Sequence, residues 1–237
     1  MNKRIIAFDG LDCIGKSTVI SSLKDKLLSM DYIPYVIHLN GPVEDLNNIL
    51  ERPNCFDKTM EYAPFFIQWE KFIQTYKMIK VVLDESLRNI IILDRTPYSE
   101  QIWTKFFDRN YNKVKDLNNH ALCEFMQLFK QLSETICIVN LDVNNNKILH
   151  RLFSKDEDYN NYVNAFDKIY KPTTTYTPIT DTDSKVLYMI NTLKQEFNNM
   201  FLFLCKYGIE TYTYENNTQE DINNITIDLI EKITKNN

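Results

Sequence analysis

Glycine, basic charge and long apolar runs are all scarce in this 237-residue sequence. Lys and Arg number 27 against 32 Asp and Glu, which gives a formal net charge of −5. Proteins that bind nucleic acid through its phosphates carry a basic face, and this acidic sequence indicates none, so we expect no nucleic-acid partner. The first apolar run is too short for a signal peptide, and no run approaches membrane-spanning length. These absences predict a soluble cytoplasmic protein with no membrane partner.

Cysteine is also sparse, and its spacing suggests neither disulfides nor a metal site. The five cysteines are an odd number, and no two of them have the separation typical of paired metal ligands. Scattered cysteines of this kind are typical of reduced thiols in a reducing compartment.

The few glycines are concentrated at one motif. Two of the four, Gly10 and Gly15, fall within a G-x-x-x-x-G-K-S pattern that follows an apolar run and opens a helical pattern. In such a P-loop, backbone N–H groups surround phosphates, the lysine reaches the terminal phosphates and the serine hydroxyl can bind Mg²⁺. The helix start adds further N–H donors and a positive dipole end. The predicted nucleotide-binding residues are Gly10, Asp12, Cys13, Ile14, Gly15, Lys16, Ser17 and Thr18.

Strand-like and helical patterns alternate along the whole chain. Strands are predicted at Ile5–Phe8, Tyr32–Leu39, Asn89–Leu93, Thr135–Asp142 and Ile209–Tyr214. Helices are predicted at Val19–Met30, Thr59–Leu87, Thr96–Phe107, Leu117–Leu132, Val143–Phe153, Tyr159–Tyr170, Lys185–Lys206 and Gln219–Ile233, with a charged segment at 154–158 and a loop at 171–184. The alternation predicts one α/β domain over 1–237, with ligands beyond the carboxyl ends of its strands.

A second motif, Asp94-Arg95, follows the most continuous apolar strand pattern and should share the sheet edge with the P-loop. A carboxylate there can hold Mg²⁺ directly or through water, and a guanidinium can stabilise phosphoryl charge. We therefore predict Ser17 and Asp94 as metal ligands, and Lys16, Asp94 and Arg95 as catalytic residues.

Three segments together resemble the thymidylate kinase and deoxynucleoside kinase group of P-loop kinases. They are the P-loop with the preceding Phe8 and Asp9, then Gln68-Trp69-Glu70, then Asp94-Arg95-x-x-Tyr98-Ser99. The resemblance implies a P-loop NTPase fold of three α/β/α layers, in which helices flank a five-stranded parallel sheet. It also implies ATP with Mg²⁺ as cofactors and small-molecule nucleotides as partners, with a homodimer as an open alternative.

The resemblance also implies roles for residues outside the P-loop. A lid near 152–160 would supply positive charge from Arg151, a catalytic and ATP-binding residue, and from Lys155. Asp12 would accept a hydrogen bond from the 3′-hydroxyl of the acceptor sugar. Gln68 would read the base, with Gln74 as its alternative. The implied substrate-binding residues are Asp9, Asp12, Phe65, Gln68, Trp69, Arg95, Ser99 and Glu100.

The acceptor is predicted from two departures within this group. Asp12 matches thymidylate kinases, and Gly41 stands before Pro42 where nucleoside kinases carry the glutamate that deprotonates a 5′-hydroxyl. A phosphate acceptor is already ionised and needs no such base. We expect a deoxynucleoside monophosphate kinase acting on dTMP, giving the diphosphate. A deoxynucleoside kinase, favoured by Gln68 and Glu100, and a non-catalytic nucleotide-binding protein are the alternatives.

Overall fold

Five parallel strands form the centre of the protein, for which a computed structural model describes residues 3–38, 73, 76–107, 127, 130–132, 135–171 and 179–234. The strands are β1 (Ile5–Asp9), β2 (Ile33–His38), β3 (Asn89–Asp94), β4 (Ile136–Asp142) and β5 (Glu210–Glu215). They form one sheet in the order β2-β3-β1-β4-β5, with every neighbouring pair parallel. The predicted five-stranded parallel sheet is confirmed.

The burial of each strand follows its position in the sheet. All residues of β1 are buried, as are all but the last residue of β3 and of β4. Strands covered on both faces need continuous apolar runs, which these three central strands have. The edge strands β2 and β5 contain only half-buried and exposed residues, and the sequence of β5 is correspondingly polar, whereas that of β2 remains largely apolar.

Helices pack in two groups that flank the sheet. The helices are α1 (Lys16–Leu28), α2 (Pro97–Phe107), α3 (Asn145–Phe153), α4 (Asp156–Ile169), α5 (Thr182–Lys206) and α6 (Gln219–Thr234). Helix α1 packs against α6, whereas α5 packs against α2, α3 and α4. Together with the sheet, the two groups form the predicted three-layer α/β/α fold. Within the described ranges, no helix has the length and apolar character needed to cross a membrane.

Some predicted boundaries are wrong. The segment 154–158 is not wholly irregular, because α4 begins at Asp156 and places three acidic residues in its first turn. Negative charge there interacts favourably with the helix dipole. Helix α5 likewise begins within the predicted loop 171–184, where Asp181 caps it by accepting a hydrogen bond from the Ser184 N–H at 2.8 Å.

Two predicted helices lie mostly outside the described residues. Of the predicted helix Thr59–Leu87, residues 73 and 76–85 are described and are helical. Of the predicted helix Leu117–Leu132, residues 127 and 130 are described as helical.

The sheet brings the two sequence motifs to one edge. Strand β1 leads into the P-loop, and β3 beside it ends at Asp94, with Phe8 paired to Asp94 in register. On the outer side of β3, His38 of β2 is also in register with Asp94. On the other side of β1, Asp9 pairs with Asn140 of β4. The candidate site is therefore built where β1 and β3 end.

Candidate active site

The P-loop depends on its two glycines for both conformation and space. Gly10 and Gly15 have φ values of +122° and +88°, which side chains disfavour. A Cβ at Gly10 would lie 2.8 Å from Ile14 Cδ1, and a Cβ at Gly15 would lie 2.7 Å from Asn216 Nδ2. Helix α1 begins directly after Gly15. The loop thus has the close backbone packing that a phosphate site needs.

Lys16 is the central cation of this loop, and it is almost fully buried. Its Nζ donates a hydrogen bond to the Leu11 carbonyl oxygen at 2.6 Å, and the Gly10 carbonyl oxygen lies at 3.4 Å. Burial and then the nearby Arg95 charge lower the pKa of Lys16 to about 8. The ammonium is held against the loop that would surround a phosphate. Ser17 and Thr18, which follow it, are exposed.

Asp94 is the last residue of β3, and Arg95 begins the turn after it. The Arg95 residue has a φ of +76°, and its N–H donates to the Phe8 carbonyl oxygen at 2.8 Å. His38 Nδ1 lies 3.0 Å from Asp94 Oδ2. Asp94 Oδ1 is buried and has no hydrogen-bond partner among the described residues. A buried carboxylate oxygen without a donor is suited to a cation, as the metal prediction for Asp94 requires.

Asp12 and Arg95 form an ion pair between the P-loop and the turn after β3. The Arg95 guanidinium also lies over the Trp103 ring, with 4.7 Å between Cζ and the ring centroid. Asp12 is the more exposed partner, at 30% against 15% for the Arg95 side chain. Two of the residues predicted to contact substrate are thus brought together. In this structure each neutralises the other.

Two predicted substrate contacts, Asp9 and Ser99, face the interior instead. Asp9 is fully buried, and its carboxylate accepts hydrogen bonds from the Thr96 N–H, at 2.9 Å, and from the Thr96 hydroxyl. The Ser99 hydroxyl, also fully buried, donates to the Thr96 carbonyl oxygen at 2.8 Å. Both side chains stabilise the turn that carries Arg95. Neither side chain reaches solvent, and a direct contact of either with substrate stays a prediction.

The two predicted lid cations lie at the P-loop cavity. Arg151, in α3, donates from Nη1 to the Cys13 carbonyl oxygen at 2.9 Å. Lys155 lies in the short link between α3 and α4, and its Nζ is 3.8 Å from Asp158 Oδ2. Arg151 is therefore anchored on the phosphate loop, whereas Lys155 is largely exposed.

Two cavities adjoin at this site. One of about 730 Å³ lies over the P-loop, with Arg151 and Lys155 on one wall and residues 216–219 on another. A second, of about 600 Å³, lies between α2 and α4 and is lined by Trp103, Phe107 and Tyr162. Asp12 and Asp158 line both cavities. The arrangement has room for two ligands that meet at Asp12.

Sequence reasoning missed several residues of this site. His38 has no second metal ligand at a suitable spacing in the sequence, and only its register beside Asp94 reveals the contact. Trp103 and Phe107 have the helical spacing of ordinary core residues. No local sequence pattern marks Asn216 or Asp158 as residues of the site. The predictions for Phe65, Gln68 and Trp69, and for the side chain of Glu100, lie outside what the structure describes.

The fold and the site together define a P-loop kinase, with a phosphate loop on β1, an Asp-Arg turn on β3 and a parallel five-stranded sheet. The model of the deoxynucleoside kinase family matches residues 6–203, and the chain belongs to this family. It is therefore a kinase that binds nucleotides, and the family implies ATP.

Solved structures are similar in fold. Deoxyadenosine kinase from M. mycoides with bound dATP has a TM-score of 0.50 and 17% identity over 95% of this chain and 99% of that chain. Thymidylate kinase from Ehrlichia chaffeensis has a TM-score of 0.47 and 16% identity over 98% of each chain. No curated protein matches the sequence.

Proposed function

We propose that the protein transfers the γ-phosphoryl group of ATP to the 5′-hydroxyl of a deoxynucleoside. The observation that carries the proposal is the pair of adjoining cavities, which share Asp12, the ion-pair partner of Arg95. Phosphoryl transfer needs donor and acceptor held end to end, with positive charge where they meet. The match to the deoxynucleoside kinase family supports the nucleoside as acceptor.

The cavity over the P-loop would bind the triphosphate of ATP. Loop N–H groups would surround the phosphates, and Lys16 would move from the Leu11 carbonyl to the terminal phosphates. Arg151 and Lys155 would contribute further charge from the opposite wall. We propose residues 152–160 as a lid, because they include the short link between α3 and α4 beside this cavity.

Ser17 and Asp94 would hold Mg²⁺ at the same edge. Both line the P-loop cavity, and the unpartnered Oδ1 of Asp94 fits a cation ligand. No cluster of three or more metal-ligating side chains exists in the described ranges, so phosphates would complete the coordination. When bound, Mg²⁺ neutralises the developing charge on the phosphates.

The second cavity would bind the acceptor. Trp103, Phe107 and Tyr162 offer aromatic surfaces to a base. Asp12, at the junction, would accept a hydrogen bond from the sugar, and Arg95 would be released to stabilise phosphoryl charge. Because the transition state of phosphoryl transfer is loose, positioning and charge dominate catalysis. A strong base for the 5′-hydroxyl is therefore less critical than placement, and the hydroxyl proton would pass to the transferred phosphoryl group or to water as the bond to ADP breaks.

A deoxynucleoside monophosphate, above all dTMP, is the second candidate acceptor. It is favoured by Gly41, which replaces the acidic residue expected before Pro42 in nucleoside kinases, and by Asp12 in the P-loop. In that case, Arg95 would leave Asp12 to bind the acceptor phosphate.

One assay distinguishes these functions. The purified protein is incubated with Mg·ATP and each of the four deoxynucleosides and their 5′-monophosphates, with Lys16→Ala as the inactive control. We expect at least one nucleoside to exceed every monophosphate tenfold in kcat/KM. The reverse order would establish a monophosphate kinase. No transfer to any acceptor, despite ATP binding, would indicate a non-catalytic nucleotide-binding protein.

A further inference from the structure

Asn216 links the end of β5 to the P-loop and has no role in the function described so far. The residue is only 3% exposed. Its side-chain Nδ2 donates to the Ile14 carbonyl oxygen at 2.7 Å, a contact between residues 202 positions apart. Its backbone N–H donates to the Asp142 carbonyl oxygen at 2.8 Å, at the end of β4. One buried residue thus joins the sheet to the phosphate loop.

The contact acts on the peptide unit that joins Ile14 to Gly15, one residue before Lys16. A trans peptide is planar, so the Ile14 carbonyl and the Gly15 N–H point in opposite directions within one rigid unit. A donor that holds the Ile14 carbonyl therefore fixes the direction of the Gly15 N–H. The N–H groups of this loop are the expected phosphate ligands.

From this geometry we propose that Asn216 is a positioning residue, which holds the P-loop in its phosphate-binding conformation through the Ile14 carbonyl. The inference rests on the proposed ATP-dependent function, but not on the identity of the acceptor. Asn216 and the three residues after it also line the P-loop cavity. The Asn216 side chain therefore connects two things: the contacts that residues 216–219 make with a ligand, and the conformation of the P-loop.

The packing around Gly15 supports a specific contact. A Cβ added at Gly15 would lie 2.7 Å from Asn216 Nδ2, so the amide sits directly against the glycine. The Asn216 amide satisfies the Ile14 carbonyl from this position. An aspartate would bring a carboxylate oxygen to the Ile14 carbonyl, and a leucine would leave the carbonyl without its partner.

The test measures ATP binding directly. Binding of a fluorescent N-methylanthraniloyl ATP with Mg²⁺ is titrated for the wild type, Asn216→Asp and Asn216→Leu. We expect Kd to rise at least tenfold in both variants. The KM for ATP should rise similarly, with the acceptor KM within about threefold of wild type. Asn191→Asp is the control, because Asn191 is exposed, accepts a hydrogen bond from Asn145 Nδ2 at 2.6 Å and does not line the P-loop cavity.

Thermal unfolding without nucleotide separates positioning from folding. Asn216→Ala is included as a milder variant, so that a folded protein lacking the donor is available if the other two unfold. A folded variant that binds the ATP analogue with wild-type Kd, whatever its Tm, would overturn the inference and leave the proposed function intact. A wild-type protein that binds no ATP would overturn the proposed function, and this inference with it.

Discussion

Asp9 is a buried carboxylate whose protonation should make stability depend on pH. It lies at the end of β1 with no solvent exposure, and the Thr96 N–H and hydroxyl both donate to it. Burial raises the pKa of Asp9 to about 6, although the hydrogen bonds from Thr96 oppose this shift. In the unfolded chain, the pKa of an aspartate is about 3.9. The folded protein therefore binds the proton more tightly.

The sign and size of the effect follow from this difference. The folded state holds more protons between about pH 4 and pH 6, so the Asp9 contribution to stability is fully present below that interval and is lost as pH rises through it. Between pH 5 and pH 7.5, a folded pKa of about 6 predicts a loss of roughly tenfold in the folding equilibrium constant.

Asp9→Asn isolates this contribution. An asparagine can keep both contacts, because its Oδ1 accepts from the Thr96 N–H and its Nδ2 donates to the Thr96 hydroxyl, yet it does not titrate. Urea unfolding of wild type and variant at pH 5 and pH 7.5 gives the difference in free energy at each pH. We expect the variant to gain about 1 kcal/mol relative to wild type between the two values.

The same experiment can also refute the prediction for Asp9. A difference that is equal at pH 5 and pH 7.5 would mean that Asp9 titrates normally, and it would refute the argument that burial raises its pKa. Thr96→Val is the matched control, because it keeps the shape of the side chain but removes the hydroxyl donor. We expect it to raise the pKa of Asp9 further and to destabilise the protein most at pH 7.5.

Three further predictions concern catalysis. Lys16→Ala should reduce kcat at least a hundredfold while ATP binding persists, because a positioned charge on the transferring phosphoryl group is lost; near-wild-type turnover would refute the P-loop mechanism. Asp12→Ala should raise the acceptor KM about tenfold and leave the ATP KM nearly unchanged; equal changes in both would exclude an acceptor role. Gln68→Ala should cost about 1–3 kcal/mol in kcat/KM for the preferred base, with Gln74→Ala and Glu100→Gln as comparisons; unchanged selectivity in Gln68→Ala and Glu100→Gln would assign base recognition to other residues.

The local chemistry of the site could be predicted from the sequence. The spacing of Gly10, Gly15 and Lys16 predicts a phosphate loop, because a left-handed backbone at glycine and a helix start are properties of neighbouring residues. The apolar run of β3 likewise predicts a central strand, since it must be buried on both faces. The order of these patterns along the chain is sufficient to predict the α/β fold and the sheet edge at which Asp94 lies.

The partners of each side chain could not be predicted in this way. Periodicity indicates that a residue faces the interior, but not which distant segment it meets there. His38 contacts Asp94 only because β2 lies beside β3 in a particular register. Asp9 faces Thr96 rather than a ligand because the turn after β3 folds over the end of β1.

The sequence by itself determined the phosphate loop, the strands and their alternation with helices, since each depends on residues close together in the chain. Tertiary structure alone decided that Asp12 pairs with Arg95, that Arg151 holds the Cys13 carbonyl and that Asn216 holds the Ile14 carbonyl. These contacts join segments from 83 to 202 residues apart. Strand order and helix packing bring such segments together, and neither is encoded in any single stretch of sequence.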